Sequence, residues 1–206
     1  KNFELCDGRY MVFRNDKMYE QAGVLRGGGV LCCIKKKFKV LSMCQSNDIN
    51  FQWIAIKLTT NDFTATICCV YIKPGSNLTV YETFLDSLGV INELYSENLF
   101  ILGDFNVSEI NDMRYDCGNG SYKAKIIQTI LCTYDLYIVN NVLNRVNNLL
   151  DLVMTNLTEA KVSHSNTFLF AIDQYHPALE IVITFDVAAD RYKGGLTDNQ
   201  AEYVSH

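Results

Sequence analysis

Apolar and polar positions along the first third of the chain follow strand-like patterns. Tyr10-Met11-Val12-Phe13 is a short apolar run, turn-rich residues lead to Arg26-Gly27-Gly28-Gly29, and residues 30–34 are apolar again. Residues 51–58 alternate in part, and residues 64–72 are β-branched or apolar throughout, which predicts a strand covered on both faces. Asn61-Asp62 between these runs predicts a hairpin turn. From Thr79 the period lengthens: Tyr81, Phe84, Leu85, Leu88, Ile91 and Leu94 recur at three- and four-residue steps, predicting an amphipathic helix. Residues 98–102 then read as a short buried strand that stops at Gly103-Asp104-Phe105-Asn106. A second helix is predicted over residues 121–134 with Ile126, Ile127, Ile130 and Leu131 inward, followed by strands over 136–139, 150–154, 167–172 and 178–185. The pattern dissolves after Phe185. Residues 1–185 therefore read as one domain and 186–206 as a linker or tail. Many strands with two helices between them predict an α/β or α+β sandwich, with two sheets facing each other and helices outside.

Composition fits that picture. The chain has 206 residues, of which 49% are hydrophobic and 20% charged, so one domain with a real core is expected. No apolar stretch approaches the roughly 18–20 residues of a spanning helix, and no signal-peptide pattern opens the chain. The eight cysteines include the adjacent pairs Cys32-Cys33 and Cys68-Cys69, with no C-x-x-C spacing and no His at a finger-like distance. Adjacent strand residues face opposite ways and chelate one ion poorly, so buried, reduced cysteines are expected. A reducing compartment follows: intracellular, nuclear or cytoplasmic rather than secreted. The net charge of −5 has the wrong sign for a dedicated nucleic-acid binder. Its distribution is uneven, however. Basic residues crowd the first forty positions, among them Arg26 and the run Lys35-Lys36-Lys37, which reads either as a solvated strand end or as a phosphate-contacting rim.

Three places can carry chemistry. In Gly103-Asp104-Phe105-Asn106 a carboxylate and a carboxamide two residues apart project to the same side of a strand exit, where one can bind a divalent cation and the other orient a phosphate oxygen. An ordinary Asx turn has the same residues. In Asp173-Gln174-Tyr175-His176-Pro177, His176 is suited to acid/base or phosphate chemistry, and a capped turn is the plain alternative. Asp151 lies within an apolar run, where burial is costly unless the carboxylate is paired, and the imidazole of His176 is a suitable partner.

A strand ending in Gly-Asp-Phe-Asn, a strand carrying Asp151-Leu152-Val153, and an Asp/His pair before a proline together resemble the endonuclease/exonuclease/phosphatase superfamily. Gly27-Gly28-Gly29-Val30-Leu31 and Val70-Tyr71-Ile72-Lys73-Pro74 resemble its version in non-LTR, jockey-type retrotransposons, over roughly residues 3 to 185. The resemblance implies a four-layered, DNase I-like α/β sandwich: two facing mixed sheets with outer helices, hydrolysing phosphodiester bonds with Mg²⁺ or Mn²⁺. It implies that Asp104 positions the attacking water, Asn106 holds the scissile phosphate, Tyr71 contacts it, His176 stabilises the transition state and Asp151 fixes the His176 tautomer. Asp173 and Asp104 would be metal ligands, and Lys35, Lys36, Lys37 and Arg26 would contact nucleic acid. DNA is the implied partner, with a reverse transcriptase domain expected C-terminal and no role for a membrane. This chain departs from the pattern in placing His176 directly before Pro177 and three residues after Asp173. The family also opens with strands bearing an Asn and a metal-binding Glu. The chain begins, by resemblance, just after that Glu, so an N-terminally truncated domain with weak or absent cleavage is expected. A non-catalytic nucleic-acid-binding or scaffolding module is the alternative.

Overall fold

The computed structural model describes residues 6–16, 19–21, 24–26, 28–61, 63–89, 91, 98–110, 121–165, 175–184 and 201–205. Its centre is a six-stranded sheet built from β5 (Lys39–Gln45), β6 (Phe51–Thr59), β7 (Thr64–Ile72), β8 (Leu99–Asp104), β9 (Tyr137–Ile138) and β10 (Asp151–Thr155). The spatial order is β5-β6-β7-β8-β10-β9. The β6–β7 hairpin closes at the turn expected from Asn61, with Thr59 opposite Thr64. β7 and β8 pair in parallel, and the crossover between them includes the first helix, α1 (Leu78–Gly89).

Side chains alternate across this sheet, and each face has its own cover. Trp53, Ala55, Cys68, Val70, Leu99, Ile101, Leu152 and Met154 face α1 and α2 (Tyr122–Tyr134), meeting Tyr81, Phe84, Leu88, Ile127 and Ile130. Ser121 caps α2 by accepting from Ala124 N, and Asp135 ends it in the left-handed conformation. The opposite face meets two smaller sheets. Ile54, Ile56 and Leu58 pack on β1 (Tyr10–Asp16) and β4 (Gly29–Lys35). Phe100, Leu102 and Val153 pack on β11 (Ala160–His164) and β12 (Leu179–Ile183). A short hairpin, β2 (Tyr19–Gln21) with β3 (Val24–Arg26), joins β1 to β4 in sequence. The result is the expected α/β sandwich, with both described helices on the outer face of the large sheet. Among the described residues no helix is long and apolar enough to cross a membrane.

Three features differ from expectation. Ala201–Ser205 forms β13, antiparallel to β12, within the stretch read as a tail. Lys39–Gln45 and Ala160–His164 are strands that the sequence pattern did not announce. Cys6 and Cys33 are joined in a disulfide, whereas Cys32, Cys44, Cys68, Cys69 and Cys132 form none. The alternation that argued against chelation explains the bond. Cys32 points into the core, so Cys33 points outward, where Cys6 meets it. The predicted strand over 167–172 lies outside the described residues.

Candidate active site

The large sheet aligns Gln52, Tyr71, Asp104 and Asp151 in one transverse row. Gln52 is opposite Tyr71, Tyr71 opposite Asp104, and Asp104 opposite Asp151. Residues directly opposite share a face, and by alternation this is the face turned toward the smaller sheets. The row lies at the end where β7 and β8 finish. Two residues therefore reach it from the second layer: His176, just before β12, and Gly28, just before β4.

His176 Nδ1 donates to Asp151 Oδ2 at 3.1 Å, and its Nε2 lies 3.8 Å from Asp104 Oδ2. The first contact fixes the tautomer and ring plane. The second exceeds hydrogen-bond length. The three ligating atoms of Asp104, Asp151 and His176 lie within 4.8 Å of one another. Side-chain exposure falls from 38% at His176 to 21% at Asp151 and 12% at Asp104, so the deepest group is the first aspartate. Burial, then the neighbouring Asp151 charge, pushes the Asp104 carboxyl up to about 6, against the pull of His176 and Asn106.

The loop after β8 is built to hold Asp104. Gly103 has φ +138°, and a Cβ there would lie 1.9 Å from Val70 O, so no other residue lets β8 approach β7 this closely. Asn106, at φ +52°, folds back. Its N–H donates to Asp104 Oδ1 at 3.1 Å, and its Nδ2 donates to Asp104 Oδ2 at 2.6 Å and to Ile72 O at 2.8 Å. Both amide hydrogens are thereby used, so the carboxamide braces Asp104, and donating to a phosphate would require exchanging one of these bonds. Below it the buried Tyr81 hydroxyl donates to Phe105 O at 2.8 Å, with Asn106 O at 3.2 Å. Burial and the Asp104 charge raise the Tyr71 hydroxyl above the usual phenol range, which keeps it a donor.

The structure thus brings Tyr71, Asp104, Asn106, Asp151 and His176 together. It does not bring Lys35, Lys36 and Lys37 with them. Gly28 marks the site end of β4, and the seven-residue strand, about 20 Å long at the usual rise, carries the lysines to the opposite end. Run polarity alone could not reveal which end of the strand the lysines would occupy. Asp173 and the Arg26 side chain lie outside the described residues. Asn140 escaped sequence reasoning: its Nδ2 donates to Asp151 O at 2.7 Å and its Oδ1 accepts from Val153 N at 2.9 Å, fixing the start of β10. An Asn in the polar step between two apolar runs was its only sequence-level trace.

This architecture matches solved structures. The chain is similar to the endonuclease domain of TRAS1, a telomere-specific non-LTR retrotransposon, with 12% identity and a TM-score of 0.54 over 85% of this chain and 81% of that domain. It is similar to the human Nocturnin catalytic domain, solved with a bound sulfate, with 13% identity and a TM-score of 0.53 over 89% of this chain and 68% of that one. An endonuclease/exonuclease/phosphatase family protein from Leptotrichia buccalis aligns at 15% identity and a TM-score of 0.49, over 77% of this chain and 66% of its own. No protein-family model matches the chain, and no curated protein matches it. The fold is that of the TRAS1 endonuclease domain and the Nocturnin catalytic domain.

Proposed function

We propose that this chain is the DNA-cleaving domain of a retroelement, hydrolysing phosphodiester bonds with a divalent cation in place of the weak or absent cleavage that the resemblance implied, in an element whose other enzyme would be a reverse transcriptase. The observation that carries the reading is the contact of His176 with Asp151 at 3.1 Å, opening on Asp104 at 3.8 Å. Asp104, the most buried carboxylate of the row, would orient the attacking water and take up its proton. His176, held by Asp151, turns Nε2 toward Asp104, and there it would donate to the charge developing on a phosphoryl oxygen. Tyr71 supplies a second donor from the same row. As water bonds to phosphorus, the P–O bond to the leaving oxygen breaks, and that oxygen takes up a proton.

The donor set fits Mg²⁺ or Mn²⁺. Two carboxylates crowd one desolvated spot, and the upward push on Asp104 is the strain that a hard cation relieves in place of a proton. Asp104 with Asp151 would hold the ion, which would neutralise phosphoryl charge. For DNA contact the rim favours Lys73 and Lys123 over the lysine run. Lys73 is exposed beside Ile72, the residue that accepts from Asn106. The Lys123 ammonium lies 5.2 Å from the Tyr81 ring centre, and Tyr81 holds the Asn106 loop.

Nicking of supercoiled plasmid with Mg²⁺ or Mn²⁺ tests the reading. The expected result is open-circle product that falls on the order of a hundredfold or more in Asp104→Ala and His176→Ala, with folding retained. Nicking that persists in both variants overturns it.

A further inference from the structure

Two glycines at the site end of β4 meet different surroundings. At Gly29, where φ is +139°, a Cβ would lie 2.3 Å from Asn15 O, so only glycine fits. Asn15 is itself anchored. Its Nδ2 lies 2.9 Å from Ser46 O, 3.0 Å from Ser46 Oγ and 3.1 Å from Trp53 O, tying the β1–β4 sheet to the large sheet at this end. Gly28 is exposed and lies outside the left-handed region. A Cβ there would meet Tyr71 Cε1 at 4.0 Å, with no nearer neighbour among the described residues. Cε1 adjoins the ring carbon that bears the hydroxyl. A methyl group at position 28 is thus in ordinary contact with the ring, whereas a longer side chain would extend across the Tyr71 edge. The neighbouring Asn15–Gly29 lock keeps the backbone from backing away.

We propose that Gly28 is a specificity-determining wall of the substrate channel. Its missing side chain leaves open the path by which an extended polynucleotide backbone lies across the small-sheet rim to reach Tyr71 and Asp104. The inference rests on the phosphodiesterase reading above and adds to it where the polymer runs and what limits the channel width. A small diester has no flanking nucleotides to lay on this wall and meets it only at the Tyr71 edge.

The test is a size series, Gly28→Ala, Gly28→Leu and Gly28→Trp. Each variant is assayed for anisotropy of a short fluorescein-labelled DNA duplex in chelator, for hydrolysis of bis(p-nitrophenyl) phosphate with Mn²⁺, and for thermal midpoint. Alanine should bind within about twofold of the parent, and leucine and tryptophan should weaken binding in order of size by about tenfold or more. The thermal midpoint should not change, and small-diester hydrolysis should fall by several-fold less than DNA binding does. Leucine and tryptophan variants that bind like the parent overturn the inference, and so does a loss of small-diester hydrolysis as large as the loss of DNA binding. A parent that binds DNA but cleaves nothing defeats the phosphodiesterase reading alone, because the binding series still decides the role of Gly28. A parent that does not bind DNA overturns both.

Discussion

Asp104 is the least solvated carboxylate of the site, and replacing it by asparagine should reverse its effect on stability as pH changes. Its folded-state pKa is raised from 3.8 to about 6. A group raised in this way stabilises the fold fully below its unfolded pKa, and that contribution is lost as pH rises through the folded value. Two units at about 1.4 kcal/mol each put the loss at about 3 kcal/mol between pH 4 and pH 7.5. Asp104→Asn is neutral throughout and escapes it. The amide keeps one acceptor for the two Asn106 donors, which costs about 1 kcal/mol. The variant should therefore be about 1 kcal/mol less stable than the parent near pH 4 and about 2 kcal/mol more stable at pH 7.5. Urea unfolding of both proteins across this range, in chelator, measures the difference directly, since all other titrating groups are shared. A difference that stays flat with pH, or that runs the other way, refutes the reasoning. Adding Mg²⁺ at pH 7.5 should then stabilise the parent and leave the variant unmoved, because an ion that binds only the folded state shifts unfolding by mass action.

Other expectations concern the scaffold and the rim. Gly103→Ala should cost about 4 kcal/mol or more, or prevent folding, because its Cβ collides with Val70 O at 1.9 Å; thermal unfolding checks it. Asn140→Ala removes two bonds at the start of β10 and should destabilise by about 2–3 kcal/mol in urea unfolding. It should also slow nicking by loosening Asp151. Lys73→Gln and Lys123→Gln should each flatten the salt dependence of DNA binding by about one unit of slope, measured by anisotropy against salt concentration. Neutralising Lys35, Lys36 and Lys37 together should leave that slope unchanged.

Much of the core site was legible because it occupies strand exits with strong local chemistry. Gly103-Asp104-Phe105-Asn106 announces a tight turn bearing a carboxylate, and Asp151 stands out as an acid in an apolar run. What local sequence does not encode is register. Nothing near Asp151 says that Asp104 lies directly opposite, or that Asn140 and Asn15 find their partners 11 to 38 residues away. Strand β5 was hidden because its pattern is inverted: Leu41 and Met43 are 47% and 46% exposed at the sheet edge while Ser42 turns inward. β11 and β13 are short and polar, so neither supplies the apolar alternation that betrays a strand. The Lys35-Lys36-Lys37 run occupies the solvated strand end, one of its two readings, and charge clustering says nothing about which end of β4 that is.

The central claim is that His176 and Asp151 work as one unit against a phosphodiester bond. A double-mutant cycle on metal-dependent plasmid nicking addresses it most directly, comparing His176→Ala, Asp151→Ala and the pair. Once the imidazole is gone the aspartate keeps only its hold on the ion, so the double variant should be slower than His176→Ala by far less than Asp151→Ala is slower than the parent. Losses that multiply across the two positions would mean that the residues act separately, and the claim of a single catalytic unit would fail.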